Sequence, residues 1–324
     1  MNGSMATTEL LLANLLSPMV LAFALGVLAR LVRSDLRVPE ELHQSLSIYL
    51  LLAIGLKGGV ELSRTPLAGV AAPLAGTLVL GIVTPLTAYA VLRLGRFDVT
   101  NAAALAAHYG SVSAVTFIAA IAFAEAAGAR PESFLPALVA VLEVPAIVVA
   151  LLLARLRAPG PGGLRAALHE IVTGRSVLLL AGGMVIGLLG GERSFAPVEP
   201  FFVGLFRGAL VLFLLDMGIA AAGRLGDLRR LGGFLAGFAI VMPIVHGALG
   251  AAVGTVAGLS PAGSAVFAAM VASASYIAAP AAVRLALPAA NPTLYLTASL
   301  GVTFPFNLTV GIPLYFEIAG WLAR

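Results

Sequence analysis

The sequence predicts an all-α polytopic membrane protein: ten transmembrane helices arranged as two inverted five-helix repeats. Three observations predict it. Of 324 residues 60% are hydrophobic and only 10% are charged. The apolar residues fall in blocks of about 20, the length that spans a bilayer as a helix. The basic residues gather at the ends of those blocks, on alternate sides.

A soluble domain carries roughly 25% charged residues. The 34 charged side chains here (19 Lys and Arg with 15 Asp and Glu) cannot cover a water-facing surface of this size, so the apolar surface must face lipid. The net charge of +4 does not mark a nucleic-acid binder, because the basic residues share no single polar element. There is no cysteine, which excludes disulfides and thiolate metal sites. No basic n-region precedes the first apolar block, so it reads as a span and not as a signal peptide.

The ten expected spans are 11–31, 43–62, 68–93, 101–127, 133–156, 175–191, 200–223, 231–257, 261–287 and 293–322. The longest connection, 157–174, contains Ala-Pro-Gly-Pro-Gly-Gly. It divides the chain into a first repeat (1–157), a cytoplasmic linker (158–174) and a second repeat (175–324). Loops after odd-numbered spans hold Arg30, Arg33, Arg37, Arg93, Arg96, Arg155, Arg157, Arg165, Arg175, Arg224, Arg229, Arg230 and Arg284. The other side holds Arg64, Arg130, Arg193 and Arg324. Since basic residues stay cytoplasmic, both termini are expected outside a bacterial inner membrane. Five spans per half is odd, so the second half enters the bilayer upside down relative to the first, the plan of many secondary transporters.

The halves share polar landmarks in the same order. Gly110-Ser111-Val112-Ser113-Ala114 in span 4 answers Ala272-Ser273-Ala274-Ser275-Tyr276 in span 9. Lys57 near the end of span 2 answers Asp216 in span 7, and Pro85 in span 3 answers Pro243 in span 8. Gly, Ser and Pro loosen a helix. Freed amides at a half-helix N-terminus attract an anion, and freed carbonyls with hydroxyls hold Na⁺. The expected anion site is therefore Gly110, Ser111 and Ser113 with Ala272, Ser273, Ser275 and Tyr276. The expected ion ligands are Ser111, Thr116, Ser275, Thr303 and Asn307, with Pro305 opening span 10 between the last two. The plainer reading is close helix packing through small residues, which suffices for any one serine.

Glu143, mid-span and two residues before Pro145, is a candidate by cost alone; it functions as a carboxylate or bonds a neighbouring helix as the neutral acid. Lys57 and Glu61 stand four apart and are expected to pair, and pseudo-symmetry offers Lys57 as the partner of Asp216. His108 and His246 have no second ligand at i+3 or i+4, so no metal beyond Na⁺ is expected. No cofactor is expected. His-Glu-x-x-His, Gly-x-Ser-x-Gly, Gly-x-Gly-x-x-Gly and the P-loop are all absent, which argues against an enzyme or an ATP-driven pump.

The strings Leu205-Phe206-Arg207-Gly208, Asp216-Met217-Gly218, Pro243-Ile244-Val245-His246-Gly247 and Pro288-Ala289-Ala290-Asn291-Pro292 resemble the sodium-dependent bicarbonate transporter family of cyanobacteria and other bacteria. The resemblance implies core and gate domains, a homotrimer, and Na⁺-coupled bicarbonate uptake by alternating, elevator-like access, with both solutes between the broken spans 4 and 9. It also implies a PII-like regulatory protein on the cytoplasmic face, although the linker here is short where the cyanobacterial members have a long charged one. Their span-9 turn reads Ser-Ser-Ser-Asp, and here Tyr276 stands in the aspartate's place. A phenol is uncharged near neutral pH. That substitution keeps a second reading open, a carrier of a small organic carboxylate on the same fold. A channel or membrane receptor is a more distant alternative, because a pore favours rings of like residues.

Overall fold

A computed structural model describes residues 12–63, 68–157, 169 and 173–324. Arg64, Arg165 and most of the 158–174 linker, on which sequence expectations rest, lie outside the described residues, as does the start of the first span.

The described chain is helical, with no strand among the described residues. In order, it forms α1 (Pro18–Leu31), α2 (Glu40–Leu62), α3 (Ala68–Leu94), α4 (Val99–Gly110), α5 (Ala114–Ala126), α6 (Leu135–Arg157), α7 (Arg175–Phe195), α8 (Phe206–Arg224), α9 (Leu228–Val256), α10 (Pro261–Val271) and α11 (Ala278–Ala286). The last, α12 (Pro292–Leu322), contains π-helical turns at Thr297–Thr303 and Asn307–Gly311. Among the described residues, eight helical segments are long and apolar enough to cross a membrane, with α4 and α5 together forming one of them. The other two expected spans are shorter: α1 has 14 described residues, and span 9 is divided between α10, with 11, and α11, with 9.

Sequence explains where the helices begin. Ser17, Ser260 and Asn291 each precede a proline at the first helical position, and each side chain accepts an amide of the first turn. Asp98 caps α4 by accepting from the Asn101 amide at 2.9 Å, and Ser113 caps α5 by accepting from Thr116 at 3.2 Å.

Large apolar side chains face outward in stripes. Leu21, Leu25, Leu28 and Leu31 line one side of α1, and Leu78, Ile82 and Leu86 one side of α3. Such stripes suit lipid. The span formed by α4 and α5 is the most enclosed: 89% of its apolar window is buried, against 22% for α7.

Two helix pairs meet backbone to backbone. In α1 against α8, a Cβ on Gly26 would stand 2.0 Å from the Leu215 carbonyl oxygen, and one on Gly218 would stand 2.1 Å from that of Phe23. In α2 against α7, a Cβ on Gly59 would stand 2.1 Å from the Met184 oxygen, and one on Gly187 would stand 2.2 Å from that of Leu56. Only glycine permits this approach, the small-residue packing of membrane helices. Spans 4 and 9 lie apart from these seams. There α10 packs on α5, α9 and α12, and α4 packs between α3 and α6.

Candidate functional site

Both expected breaks exist. The first falls after Gly110: Ser111 (φ −88°, ψ 166°) and Ser113 (φ −94°, ψ 109°) are extended, and helix resumes at Ala114. The second runs from Ala272 to Ile277, with helix resuming at Ala278. Each break exposes carbonyls of one half-helix and amides of the next.

The breaks cross and exchange hydrogen bonds. The Ser113 amide donates to the Ser273 hydroxyl at 2.7 Å, and that hydroxyl donates to the Met270 carbonyl at 2.7 Å. In return, the Ser275 amide donates to the His108 carbonyl at 2.8 Å. The Ser275 hydroxyl accepts from the Ala279 amide at 3.1 Å, so it caps α11 as Ser113 caps α5. Two helix N-termini therefore converge from opposite halves of the chain, and every serine involved is buried.

Between them is a cavity of about 10 Å³, lined by Val112, Ser113, Ala114, Ser275, Tyr276, Ile277 and Ala278, with Glu143 of α6 as its remaining wall. That volume is about what one water needs. No basic side chain among the described residues lines it. Glu143 is 2% exposed, and its Oε2 has no hydrogen-bond partner. The Tyr276 hydroxyl is also buried. It lies beside Ser113 outside hydrogen-bond geometry, and its ring meets Phe304 edge-on at 5.3 Å.

The remaining expected residues divide into three groups. Gly110 is a packing position, where a Cβ would come within 2.8 Å of Pro85 and 3.1 Å of Ala146. Ser111 and Thr116 are buried with hydroxyls that have no partner, and neither lines the cavity. Thr303, Asn307 and Ala272 are engaged within the protein. Thr303 donates to the Ala239 carbonyl at 2.6 Å and meets the Tyr109 hydroxyl at 2.7 Å. Asn307 donates to the Ala272 carbonyl at 3.2 Å and accepts from Tyr315 at 2.8 Å. Pro305 does not open span 10; the π-helical turns on either side of it keep α12 continuous.

Two pairings expected from sequence need revision. Asp216 meets His43, at 2.6 Å, and not Lys57. Lys57 stands fourteen residues beyond His43 on α2, roughly 21 Å at 1.5 Å per residue, and is out of reach. Lys57 pairs with Glu125 of α5 at 3.0 Å, a partner that its spacing to Glu61 did not reveal, and Arg207 of α8 reaches the same carboxylate at 3.3 Å. Lys57, Glu61, Glu125, Arg130, Glu132 and Arg207 are walls of a larger open cavity of about 550 Å³. Sequence reasoning passed over Glu125, Glu132 and His43 because each stands near a helix end, where a charge has no cost to flag it.

A paired break with converging helix N-termini is the architecture of an ion or anion carrier. Residues 18–320 match the Na⁺-dependent bicarbonate transporter superfamily. The chain belongs to that superfamily. It is thus a member of a family of Na⁺-dependent membrane transporters and not of enzymes. No individually curated protein matches it.

Proposed function

We propose that the chain is a secondary active transporter that couples inward Na⁺ movement to uptake of a small anion, bicarbonate, at the crossing of the span-4 and span-9 breaks. The observation that carries this reading is the reciprocal pair of hydrogen bonds between the breaks, which sets the N-termini of α5 and α11 on one small cavity. Those N-termini supply positive potential. The Ser113 and Ser275 hydroxyls supply directional bonds, and the unpartnered hydroxyls of Ser111 and Thr116, in and just after the first break, supply cation ligands.

Two features support the inverted repeat and its movement. The glycine seams pair span 1 with span 7 and span 2 with span 6, a pattern that maps onto itself when the halves are exchanged. On this reading spans 1, 2, 6 and 7 form the fixed gate, against which spans 3–5 and 8–10 move. A cavity of about 10 Å³ is too small for a four-atom anion, so loading requires that movement. The same reading takes in a homotrimer in a bacterial inner membrane with both termini outside, and a PII-like regulator on the cytoplasmic face.

The test is uptake of labelled bicarbonate into proteoliposomes with and without a Na⁺ gradient. Na⁺-dependent accumulation is expected. Uptake indifferent to Na⁺ removes the coupling, and absence of bicarbonate uptake removes the substrate. Tyr276 favours a second reading, a small organic carboxylate, because its uncharged ring presents apolar surface to the cavity. Thermal stabilisation by such carboxylates but not by bicarbonate would select it.

A further inference from the structure

Glu143 shares its cavity with the two helix N-termini proposed above to hold the anion. The arrangement is self-opposing. Converging N-termini favour negative charge, while an ionised carboxylate in the same small, buried space repels a second anion. Among the described residues, the only other polar side chains in the walls are Ser113, Ser275 and Tyr276, and none carries a positive charge to relieve that repulsion. Glu143 is also not held in a hydrogen bond that would keep it as a structural acid: Oε2 is buried and unpartnered. An uncompensated buried carboxylate is costly and is completed by a proton or by a cation.

We propose that Glu143 is the coupling carboxylate of this transporter: Na⁺ seated against it cancels its charge, and only then does the anion enter between α5 and α11. The inference rests on the transport function proposed above. It makes the order of loading a matter of electrostatics. With Na⁺ absent, the ionised carboxylate and the substrate exclude each other, and only a proton can take the cation's place; with Na⁺ present, the three charges sum to one negative charge facing two positive helix ends. By linkage the effect is reciprocal, so Na⁺ raises anion affinity and the anion raises Na⁺ affinity by the same factor. Couplings of this kind are commonly about 5–150-fold.

The experiment compares wild type, Glu143→Gln and Glu143→Asp by labelled bicarbonate uptake and by bicarbonate binding at fixed pH, in Na⁺ and with choline substituted for it. Wild type is expected to bind bicarbonate about 5–150-fold more tightly in Na⁺. Glu143→Gln is expected to bind it equally in both media, with uptake no longer driven by the Na⁺ gradient. Glu143→Asp, which keeps the charge on a shorter arm, is expected to retain coupling with a raised half-saturating Na⁺ concentration. A coupled wild type beside an equally coupled Glu143→Gln overturns the inference and leaves the transport function standing. An uncoupled wild type overturns both. If Glu143→Gln does not fold, Glu143→Asp decides: an unchanged half-saturating Na⁺ concentration, or coupling lost with the charge retained, overturns it.

Discussion

The Ser113 amide donates to the Ser273 hydroxyl at 2.7 Å, joining residues 160 positions apart in the chain. The bond ties the start of α5 to the break that follows α10. Ser273→Ala would leave the amide buried with no acceptor, a loss of about 1–3 kcal/mol. The variant is expected to melt at a lower temperature in detergent and to bind the anion more weakly. Unchanged stability and binding would show that the breaks are held together by packing alone.

The glycine seams make a sharper forecast. Gly59→Ala and Gly218→Ala each force a methyl against a backbone oxygen 2.1 Å away, and no side-chain rotation relieves it. Overpacking of this kind costs about 1–3 kcal/mol. Gly182→Ala, on the same helix as Gly187 but with nothing within 4 Å of the added Cβ, is expected to leave stability within about 1 kcal/mol of wild type. Thermal unfolding of the three variants side by side checks the contrast.

Glu125 accepts from Lys57 of α2 and Arg207 of α8 while itself belonging to α5. All three side chains are partly exposed, so the pairs contribute at most about 1 kcal/mol each to stability. Their effect is expected in rate, because they bridge spans assigned to gate and core. Glu125→Gln should leave the melting temperature nearly unchanged and alter the turnover rate, with a smaller response to added salt than wild type shows. A wild-type rate and salt response in the variant would mean that the bridge does not restrain the movement.

Asp98 stands just before α4. Partial burial raises its pKa, but bonds from the Asn101 amide and side chain and from the Thr100 amide outweigh that effect and hold the carboxyl below its ordinary value. A depressed folded pKa stabilises the fold above the unfolded value, near 4, and the contribution is lost as pH falls through the folded one. Asp98→Ala should cost about 1 kcal/mol at neutral pH. The gap to wild type should close on acidification below about pH 4, as followed by denaturation at a series of pH values.

The spans were legible because lipid imposes one rule on every helix: about twenty apolar residues with charge at the ends. The breaks were legible because Gly110-Ser111 and Ser273-Ala274-Ser275 place hydroxyls where a plain span needs none. The partners were not. His43 meets Asp216 across 173 positions of chain, and Glu125 meets Lys57 across 68. Neither distance follows a helical period, so no spacing rule finds them. Span 10 misled for another reason. Pro305 signals a missing hydrogen bond, but wider helical turns on both sides absorb the gap, and only the folded backbone shows that choice.

Backbones in contact along Gly26, Gly59, Gly187 and Gly218 have a thermal consequence. Hydrophobic association weakens on cooling because its driving force comes from water. A glycine seam in lipid owes little to water; it is held by dispersion and by weak Cα–H···O contacts between peptide groups. The two helix pairs so joined should therefore hold together as firmly in the cold as in the warm, leaving the ordering of the remaining spans to carry the temperature dependence of turnover.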